Sequence, residues 1–451
     1  MKKLKIGLEI HCQLNTNSKV FCSCPTAINK NPNTNICPTC IGLPGSKPIL
    51  NQSAMEKSIK AAIALNCRIN KETFFSRKSY FYPDLAKNFQ ITQYEFPIGT
   101  NGKLENIRIK RLHLEEDPGA LIHKGNTTLI DYNRSGIPLI EIVTEPDFKS
   151  PNEVRLFLRK LITILEYLEI YERKSEATMK ADANISTTGK KVEIKNITGL
   201  KEIERALEYE AARQEAEPAN QQETRGWNSE KGITFLQRTK EEESDYGYIF
   251  DGDLTKIEIS QPLIKKIKLE IPELSLDKVE RFKKAYKLEN EDAQTLAADR
   301  SLADLFEEVA KEIDPILAAR WLRRDLMKVL HYNKKELKEV KIDARHIKEL
   351  LSLLQENKIN DATAKELLIK LIESPFSPRE HVEKENLAMI TSESEIENMC
   401  KDVIKNNKDV VESFKSGKQE AMNFLVGQVM KLSKGKADPK EAQKILKKLI
   451  S

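Results

Sequence analysis

The chain has 451 residues, of which 39% are hydrophobic and 32% are charged, and its formal net charge at pH 7 is +5. At about 100 to 200 residues per domain, this length predicts roughly two to four domains. No run approaches the roughly 18 apolar residues of a membrane-spanning helix. Glu9 and His11 interrupt the only place for a secretion signal. We therefore expect a cytoplasmic protein that has no membrane partner.

Polar side chains alternate with apolar residues in four short stretches that are typical of β-strands, at residues 7–11, 112–115, 181–185 and 192–195. Because successive strand residues face opposite sides of a sheet, Leu8 and Ile10 are expected in the core. The same rule places the following pairs together on polar faces: Glu9 with His11, His113 with Glu115, Asp182 with Asn184, and Glu193 with Lys195. If these faces meet, they form a carboxylate-rich cleft suited to Mg²⁺ and phosphate groups.

Seven cysteines in a chain without a secretion signal argue against a disulfide framework. Four of them form two close pairs separated by a loop: Cys22, Cys24, Cys37 and Cys40. Four thiolates in a tetrahedral array are typical of structural zinc. We predict a zinc knuckle over residues 22–40 that holds a loop and takes no part in catalysis, since four protein ligands leave no open position. The alternative is four reduced cysteines that only pack.

Residues 76–84 interleave cations with aromatic rings, namely Arg77, Lys78, Tyr80, Phe81 and Tyr82. This composition fits stacking on a base or sugar beside phosphate contacts. An aromatic packing patch is the alternative.

Further along the chain, Arg134 stands near a tight turn, where its guanidinium can clamp a carboxylate or a phosphate. Residues 139–145 are predicted to form a buried strand. A capping box opens an amphipathic helix over residues 150–168, and a charged helix follows at 201–216. Residues 218–232 are rich in polar side chains and predict a mobile loop.

The composition then changes, because residues 1–285 mix strand patterns with glycine and proline whereas the rest is almost wholly helical. Apolar stripes at residues 321–330 and 347–354 are predicted to be core. Proline and serine at 375–385 indicate a linker before a small helical tail. The fold class predicted from these patterns is α+β.

Basic residues are concentrated at the end of the chain. Residues 431–451 carry seven lysines against Asp438 and Glu441, so this segment has a net charge of +5 and the remainder is nearly neutral. A basic end on a neutral body suits binding to the phosphates of a polyanion. A solvated helix face is an equally acceptable interpretation.

Eight blocks of the chain together resemble the B subunit of the tRNA-dependent glutamyl/aspartyl-tRNA amidotransferase. They are GLEIHCQL (7–14), the four cysteines, RKSYFYPD (77–84), RLHLEEDPG (111–119), DYNRSGIPLIEIVTEPD (131–147), ADANIS (181–186), EIKN (193–196) and LVGQVMKLSKGKADP (425–439). The resemblance runs through the whole chain and preserves the order of the domains.

This resemblance implies three domains: a mixed α/β cradle with an antiparallel sheet and an ATP-dependent kinase site at residues 1–285, an all-α helical domain at 286–375, and an all-α tRNA-binding tail at 376–451. It implies the ATP-dependent amidation of Glu-tRNA(Gln), Asp-tRNA(Asn) or both. In this family the B subunit phosphorylates the side-chain carboxylate of the tRNA-bound amino acid, and ammonia then displaces phosphate. The ammonia comes from glutamine in a separate amidase (A) subunit, and a small third (C) subunit holds the pair together.

The resemblance also implies roles for individual residues. The magnesium-binding positions are Glu9, His11, Glu115 or Glu116, and Glu193; both Glu115 and Glu116 are counted among the predicted catalytic residues, together with Asp182. The predicted nucleotide-binding residues are His113, Asn184, Lys195, Asn196 and Arg134. The cofactors implied are Mg²⁺, ATP and the structural Zn²⁺.

Two positions depart from the family pattern. Lys180 stands where relatives usually carry an arginine, and residues 245–253 replace an Asp-Tyr-Arg sequence and its Pro-rich acidic turn, with Gly247 at the arginine position. The chain has no room for the large insertion of a related two-subunit enzyme, which favours the three-subunit type. Two other interpretations stay open from the residues alone: a non-catalytic zinc-containing RNA-binding protein, and a metal-dependent nuclease or nucleotidyltransferase.

Overall fold

A computed structural model of the chain describes residues 4–27, 31–172, 179–239, 247–390, 392–416, 418–433 and 435–450. The chain divides into two compact units, Met1–Leu274 and Ser275–Ser451. Within the described residues, no helix combines the length and the apolar character needed to cross a membrane. Asp245 and Tyr246, which belong to one of the two departures from the family pattern, lie outside the described residues.

The first unit is a mixed α/β structure. Its strands are β1 (Lys5–Gln13), β2 (Arg68–Ile69), β3 (Glu72–Thr73), β4 (Ser76–Ser79), β5 (Phe89–Thr92), β6 (Gly99–Leu104), β7 (Ile107–Glu116), β8 (Ala120–Lys124), β9 (Thr127–Asp131), β10 (Pro138–Thr144), β11 (Met179–Ser186), β12 (Val192–Thr198), β13 (Glu223–Asn228), β14 (Ile233–Thr239), β15 (Gly247–Phe250) and β16 (Ile257–Glu258). Its helices are α1 (Gln52–Ala64), α2 (Pro151–Tyr167), α3 (Leu200–Ala216) and α4 (Gln261–Glu270).

Nine of these strands form one sheet in the order β14-β13-β12-β11-β1-β10-β7-β6-β2, and all neighbours are antiparallel except β12 and β13. Strand β1 is central although it comes first in the chain, because β10 and β11 pair with its two edges. A smaller sheet has the order β15-β4-β5, and β8 and β9 form a separate hairpin. Helix α1 packs on β6 and β7, and α3 packs on β11, β12 and β14.

Several predicted elements of this unit are confirmed. Leu8 and Ile10 are buried in the core, as the alternating pattern predicts. Every residue of β10 is buried, which confirms the buried strand. The side chain of Ser150 accepts a hydrogen bond from the Glu153 amide at 3.2 Å, and Glu153 in turn accepts one from the Lys149 amide at 2.7 Å. This reciprocal pair is the capping box that opens α2.

The prediction of a mobile loop over residues 218–232 is wrong, because Glu223–Asn228 form strand β13 in the large sheet. Its polar side chains find partners within the protein. Arg225 donates to Glu223 at 2.9 Å and to the Thr234 hydroxyl at 3.0 Å. A polar segment can therefore form a half-buried sheet strand when its side chains are hydrogen-bonded.

The second unit is helical throughout its described residues. Its helices are α5 (Ser275–Ala285), α6 (Asn290–Ala297), α7 (Arg300–Val309), α8 (Pro315–Arg320), a π-helical segment (Trp321–Leu326), α9 (Met327–Tyr332), a 3-10 turn (Leu337–Glu339), α10 (Ala344–Gln355), α11 (Asp361–Glu373), α12 (Pro378–Lys384), α13 (Glu393–Asn406), α14 (Lys408–Lys415), α15 (Glu420–Leu432) and α16 (Pro439–Ile450).

Two apolar clusters lie inside this unit. The first extends from Phe282 to Val382 and includes the predicted stripes at residues 321–330 and 347–354, and the second extends from Ile396 to Ile450. The predicted linker at 375–385 is partly wrong, because it contains α12, whose first amides are capped by the Ser377 side chain. The α+β class is confirmed in its coarse form, and the division into three domains stays a prediction.

Candidate active site

The register of four neighbouring strands brings the predicted polar residues to one face of the large sheet. His11 on β1 lies opposite Glu141 on β10, and Glu141 lies opposite His113 on β7. On the other edge of β1, Glu9 lies opposite Asp182 on β11. Residues directly opposite each other in an antiparallel pair share a face, so these side chains project together.

His11, Glu115 and Glu141 form one group, whose candidate ligand atoms all lie within 4.8 Å of one another. Nε2 of His11 lies 3.6 Å from a carboxylate oxygen of Glu115 and 3.5 Å from one of Glu141. His113 stands behind this group, with its Nε2 3.4 Å from Glu141. Its Nδ1 is buried and has no hydrogen-bond partner among the described residues. One imidazole and two carboxylates are a plausible ligand set for a divalent ion.

Glu9, Asp182 and Glu193 form a second group with the same spacing. Lys195 enters it, with its Nζ 3.0 Å from Asp182 and 2.7 Å from Glu193. A bulge in β12 produces this arrangement, because the backbone of Asn196 is left-handed (φ 55°) and two residues of β12 stand opposite Asp182. The Asn196 amide donates to Asp182 at 2.7 Å.

The charges of the two groups shift the pKa values of their members. Burial lowers the pKa of His11, but the hydrogen bond and charge of Glu141 and the charge of Glu115 overcome this and raise it to about 10. Burial and the negative charge of Glu141 raise the pKa of Glu9, against the effect of Lys195. Burial lowers the pKa of Lys195, but the negative charges of Asp182 and Glu193 outweigh this effect and raise it. In this structure, His11 and Lys195 therefore offset part of the negative charge of the carboxylates around them.

All three members of the first group, together with Asp182 of the second group and Lys195, line a cleft of about 920 Å³. Its rim carries Arg134, which donates to Asp117 at 2.6 and 3.0 Å, and Lys180, whose pKa is lowered by burial and by the charge of Arg134. The predicted aromatic segment also lines the cleft, and Phe81 is 89% exposed. The bottom of the cleft is thus acidic, and its rim offers cations and a free aromatic face.

The other predicted residues occupy different positions. Glu116 stands apart from both groups, because its carboxylate lies 2.6 Å from Lys87 Nζ and accepts a hydrogen bond from the Ile91 amide at 2.8 Å. The side chain of Asn184 donates to Glu9 at 3.3 Å. Its buried Oδ1 has no hydrogen-bond partner among the described residues. Asn184 therefore offers an unused acceptor beside the second group.

The four cysteines predicted as a knuckle are brought together. Their sulfur atoms, from Cys22, Cys24, Cys37 and Cys40, lie within 4.8 Å of one another. A hydrogen bond from Cys22 lowers the pKa of the Cys40 thiol, against the effect of burial. Four sulfurs at this spacing fit a tetrahedral metal such as zinc. Of the remaining cysteines, Cys12 and Cys400 are buried and Cys67 is half-buried.

Two family models match the chain, one described as the GatB/GatE catalytic domain at residues 4–265 and one described as the GatB domain at 304–450. The chain belongs to the GatB family. A relative from Methanothermobacter thermautotrophicus is 45% identical over 99% of this chain and 100% of its own length. A relative from Thermotoga maritima is 42% identical over 99% of this chain and 98% of its own length. Both are named as the B subunit of an aspartyl/glutamyl-tRNA(Asn/Gln) amidotransferase.

The GatB catalytic match includes both carboxylate groups and all four cysteines. Within this region, Glu141 is a site residue that the sequence analysis missed, because the pattern of residues 139–145 indicates only a buried strand. The available signal was a single acid in the middle of an apolar strand, where an unpaired charge is costly. Arg111 was also missed; it lies 3.7 Å from Glu141 and stacks over the Tyr94 ring at 4.7 Å.

Proposed function

We propose that this chain is the subunit that activates the tRNA-bound carboxylate in the ATP-dependent amidation of Glu-tRNA(Gln), Asp-tRNA(Asn) or both. A side-chain carboxylate oxygen of the tRNA-bound glutamate or aspartate attacks the γ-phosphorus of ATP, and ADP leaves. Ammonia then attacks the acyl carbon, and phosphate leaves to give the amide. The observation that carries this proposal is the presence of two metal-competent groups on neighbouring strands of one sheet in a GatB-family chain.

The first group, His11, Glu115 and Glu141, and the second group, Glu9, Asp182 and Glu193, would hold Mg²⁺. Magnesium supplies charge neutralisation on the transferring phosphoryl group. The buried and unpartnered Oδ1 of Asn184 supports a further ligand beside the second group. Arg134 and Lys180 on the rim would attract the polyphosphate, and Phe81 offers a face for a base.

The proposed partners are an amidase subunit that releases ammonia from glutamine, a small third subunit and the tRNA. The basic end of the chain supports RNA binding, because Lys440, Lys444, Lys447 and Lys448 all lie on exposed positions of α16. Exposed lysines on one short helix attract phosphates without reading sequence. We place the reaction in the cytoplasm, where aminoacyl-tRNA is used in translation.

Zn²⁺ is the metal proposed for the four cysteines. The sulfur donors and their close spacing fit a closed structural site, which leaves no position for substrate. This metal would therefore stabilise residues 22–40 and would not enter the reaction.

The test is amide formation on Glu-tRNA(Gln) by this chain co-purified with its amidase and third subunits. Product is expected only with ATP and is expected to fall by at least about 10-fold in Glu9→Gln and Glu115→Gln. Glutaminase activity of the partner is expected to survive in both variants, which shows that the assembly is intact. Product formation without ATP, or unchanged activity in both variants, contradicts the proposal.

The alternative is a non-catalytic, zinc-containing RNA-binding protein. It predicts that wild-type assemblies retain tRNA on a filter but form no amide with ATP, and that neither variant changes retention. The same assays therefore separate the two functions. Cleavage or extension of the tRNA would instead favour the nuclease or nucleotidyltransferase interpretation.

A further inference from the structure

Lys19 has a side chain that is completely buried beside the four cysteines. Its Nζ donates to the carbonyl oxygen of Asn35 at 2.7 Å and to that of Tyr132 at 3.4 Å, and it lies 3.7 Å from Sγ of Cys40. No carboxylate among the described residues pairs with it. Within the described parts of the chain, the sulfur of Cys40 is thus the partner of Lys19 that can carry a negative charge.

A buried ammonium is unfavourable unless an anion and hydrogen-bond acceptors compensate it. Four thiolates around one divalent ion leave an excess of negative charge, and Lys19 is placed to offset it. The position of Lys19 Nζ, between two carbonyl oxygens and the Cys40 sulfur, fits an ammonium that lies beside a metal-bound sulfur.

The two carbonyl partners of Lys19 belong to two segments that are tied together. Asn133 Oδ1 accepts hydrogen bonds from the amides of Thr34 and Asn35, both at 2.8 Å. Ser135 Oγ donates to the Cys40 carbonyl at 3.2 Å. Residues 131–135 are thereby fastened to the cysteine loop by side-chain and main-chain bonds.

Arg134 lies within the fastened segment and lines the cleft. Its guanidinium donates twice to Asp117 Oδ2, which also accepts from Gln13 Nε2 at 2.6 Å. The Gly136 amide donates to the Asp117 carbonyl at 2.9 Å. Hydrogen bonds therefore connect Cys40 to Lys19 and Lys19 to the Tyr132 carbonyl, and the backbone of residues 132–134 completes the connection to Arg134 in the cleft.

We infer that Lys19 is a positioning residue that couples the metal held by the four cysteines to Arg134, so that the knuckle fixes the place of Arg134 in the cleft. This assigns the knuckle an effect on substrate binding as well as a role in holding its own loop. The coupling of Lys19 to Arg134 does not depend on the proposed function; the inference rests on that function only in naming ATP or aminoacyl-tRNA as the substrate that Arg134 binds.

The first measurement is the Zn²⁺ affinity of the full chain, by competition with a chromogenic chelator, for wild type, Lys19→Met and Lys57→Met. Lys57 is a matched control because its Nζ also donates to two carbonyl oxygens, those of Asn15 and Glu169. Lys19→Met is expected to bind Zn²⁺ about 10- to 100-fold more weakly. Lys57→Met is expected to match wild type. Equal affinity in all three proteins overturns the inference.

The second measurement does not depend on enzyme activity, and its first comparison uses the wild-type chain alone. Removal of Zn²⁺ from the wild-type chain is expected to accelerate hydrogen exchange at the amides of Ser135 and Gly136 at least about 10-fold, while amides inside α1 keep their protection. Lys19→Met saturated with Zn²⁺ is expected to show the same acceleration. If the protection of Ser135 and Gly136 is unchanged after metal removal, the metal affects only the cysteine loop, and the coupling to Arg134 is rejected.

The third measurement is kinetic and uses the assembly with its partner subunits. Lys19→Met and Arg134→Met are expected to raise the KM of the same substrate, ATP or aminoacyl-tRNA, with little change in kcat. The double variant is expected to be no worse than the more affected single variant, since both act through Arg134. Effects that multiply contradict the coupling. If the wild-type assembly forms no amide, the proposed function is contradicted. The Zn²⁺ affinity and the hydrogen exchange still test the role of Lys19 in that case.

Discussion

A carboxylate oxygen of Glu141 lies 3.4 Å from Nε2 of His113, and the same oxygen lies 3.5 Å from Nε2 of His11. Burial opposes ionisation of Glu141, but the charge of His113 and the hydrogen bond of His11 lower its pKa well below the usual value. One buried anion thus holds two imidazoles that come from strands on either side of it. Glu141 is the centre of the first group although it was not among the predicted residues.

Glu141→Gln preserves the size of this side chain and removes its charge. His11 and His113 then lose the carboxylate that lies between them, and the first group loses one of its two carboxylates. ATP-dependent amide formation is therefore expected to fall at least about 10-fold. Glu145→Gln is the matched control, because Glu145 lies just beyond the end of the same strand and in neither group. Activity of Glu141→Gln within a factor of about two of this control contradicts the role of Glu141.

Lys195→Met removes the ammonium that lies between Asp182 and Glu193. Three buried or half-buried carboxylates then repel one another, so the variant is expected to unfold at a lower temperature in EDTA and to recover with Mg²⁺ or Mn²⁺. Lys180→Met, which removes another cleft cation, is expected to show no such recovery. The check is thermal unfolding with and without the metals; a Lys195→Met curve that is insensitive to metal is the contrary result.

The pair formed by Arg108 and Asp147 provides a test of pH dependence. Arg108 donates to both carboxylate oxygens of Asp147, at 2.7 and 2.9 Å, and this lowers the pKa of Asp147 from its ordinary value of 3.8. A lowered folded-state pKa stabilises the folded protein above pH 3.8, and the stabilisation is lost as the pH falls through the folded-state value.

Arg108→Gln is therefore expected to lower the unfolding temperature at pH 7 and to differ progressively less from wild type as the pH falls below 3.8. Carbon-13 NMR of Asp147 is expected to show a higher titration midpoint in the variant. Arg68→Gln changes another exposed arginine and serves as the control. A difference from wild type that stays constant with pH assigns the effect to packing.

The second unit has an aromatic cluster in its core, formed by Phe282, Tyr286 and Phe306. Phe306 is fully buried, and its ring centroid lies 5.0 Å from that of Phe282 and 5.1 Å from that of Tyr286. Phe306→Ala is expected to lower the free energy of unfolding by about 3 to 5 kcal/mol. Tyr332→Ala, at an 88% exposed position, is expected to change it by less than about 0.5 kcal/mol. Urea unfolding followed by helical circular dichroism measures both, and similar midpoints contradict the assignment of Phe306 to the core.

Local patterns predicted the elements whose signals lie within a few residues. The alternation around Leu8 and Ile10 and the capping box at Ser150 and Glu153 are both present in the structure. These features depend on backbone periodicity and on short-range hydrogen bonds. They can therefore be read without knowing the partner strands.

Features that depend on strand pairing were harder to predict from the sequence. Whether Glu115 or Glu116 faces the cleft follows from the register of β7 with β10, which places adjacent residues on opposite faces. The bulge at Asn196 and strand β13 likewise depend on partners elsewhere in the sheet. The sequence did not identify Glu141 as a site residue, because its apolar neighbours on β10 indicate only that the strand is buried. The two histidines beside it come from other strands, and local sequence does not predict that pairing.

The central position of β1 has a consequence for synthesis on the ribosome. Residues 5–13 are synthesised long before the strands that cover their two edges, Pro138–Thr144 and Met179–Ser186. An apolar strand with both edges open is a site for aggregation while the chain grows. Charged side chains protect such edges, and Lys5 and Glu9 are the charged side chains of this strand. The sequence of β1 therefore carries charge on the emerging strand at a position, Glu9, that the folded sheet places in the second group.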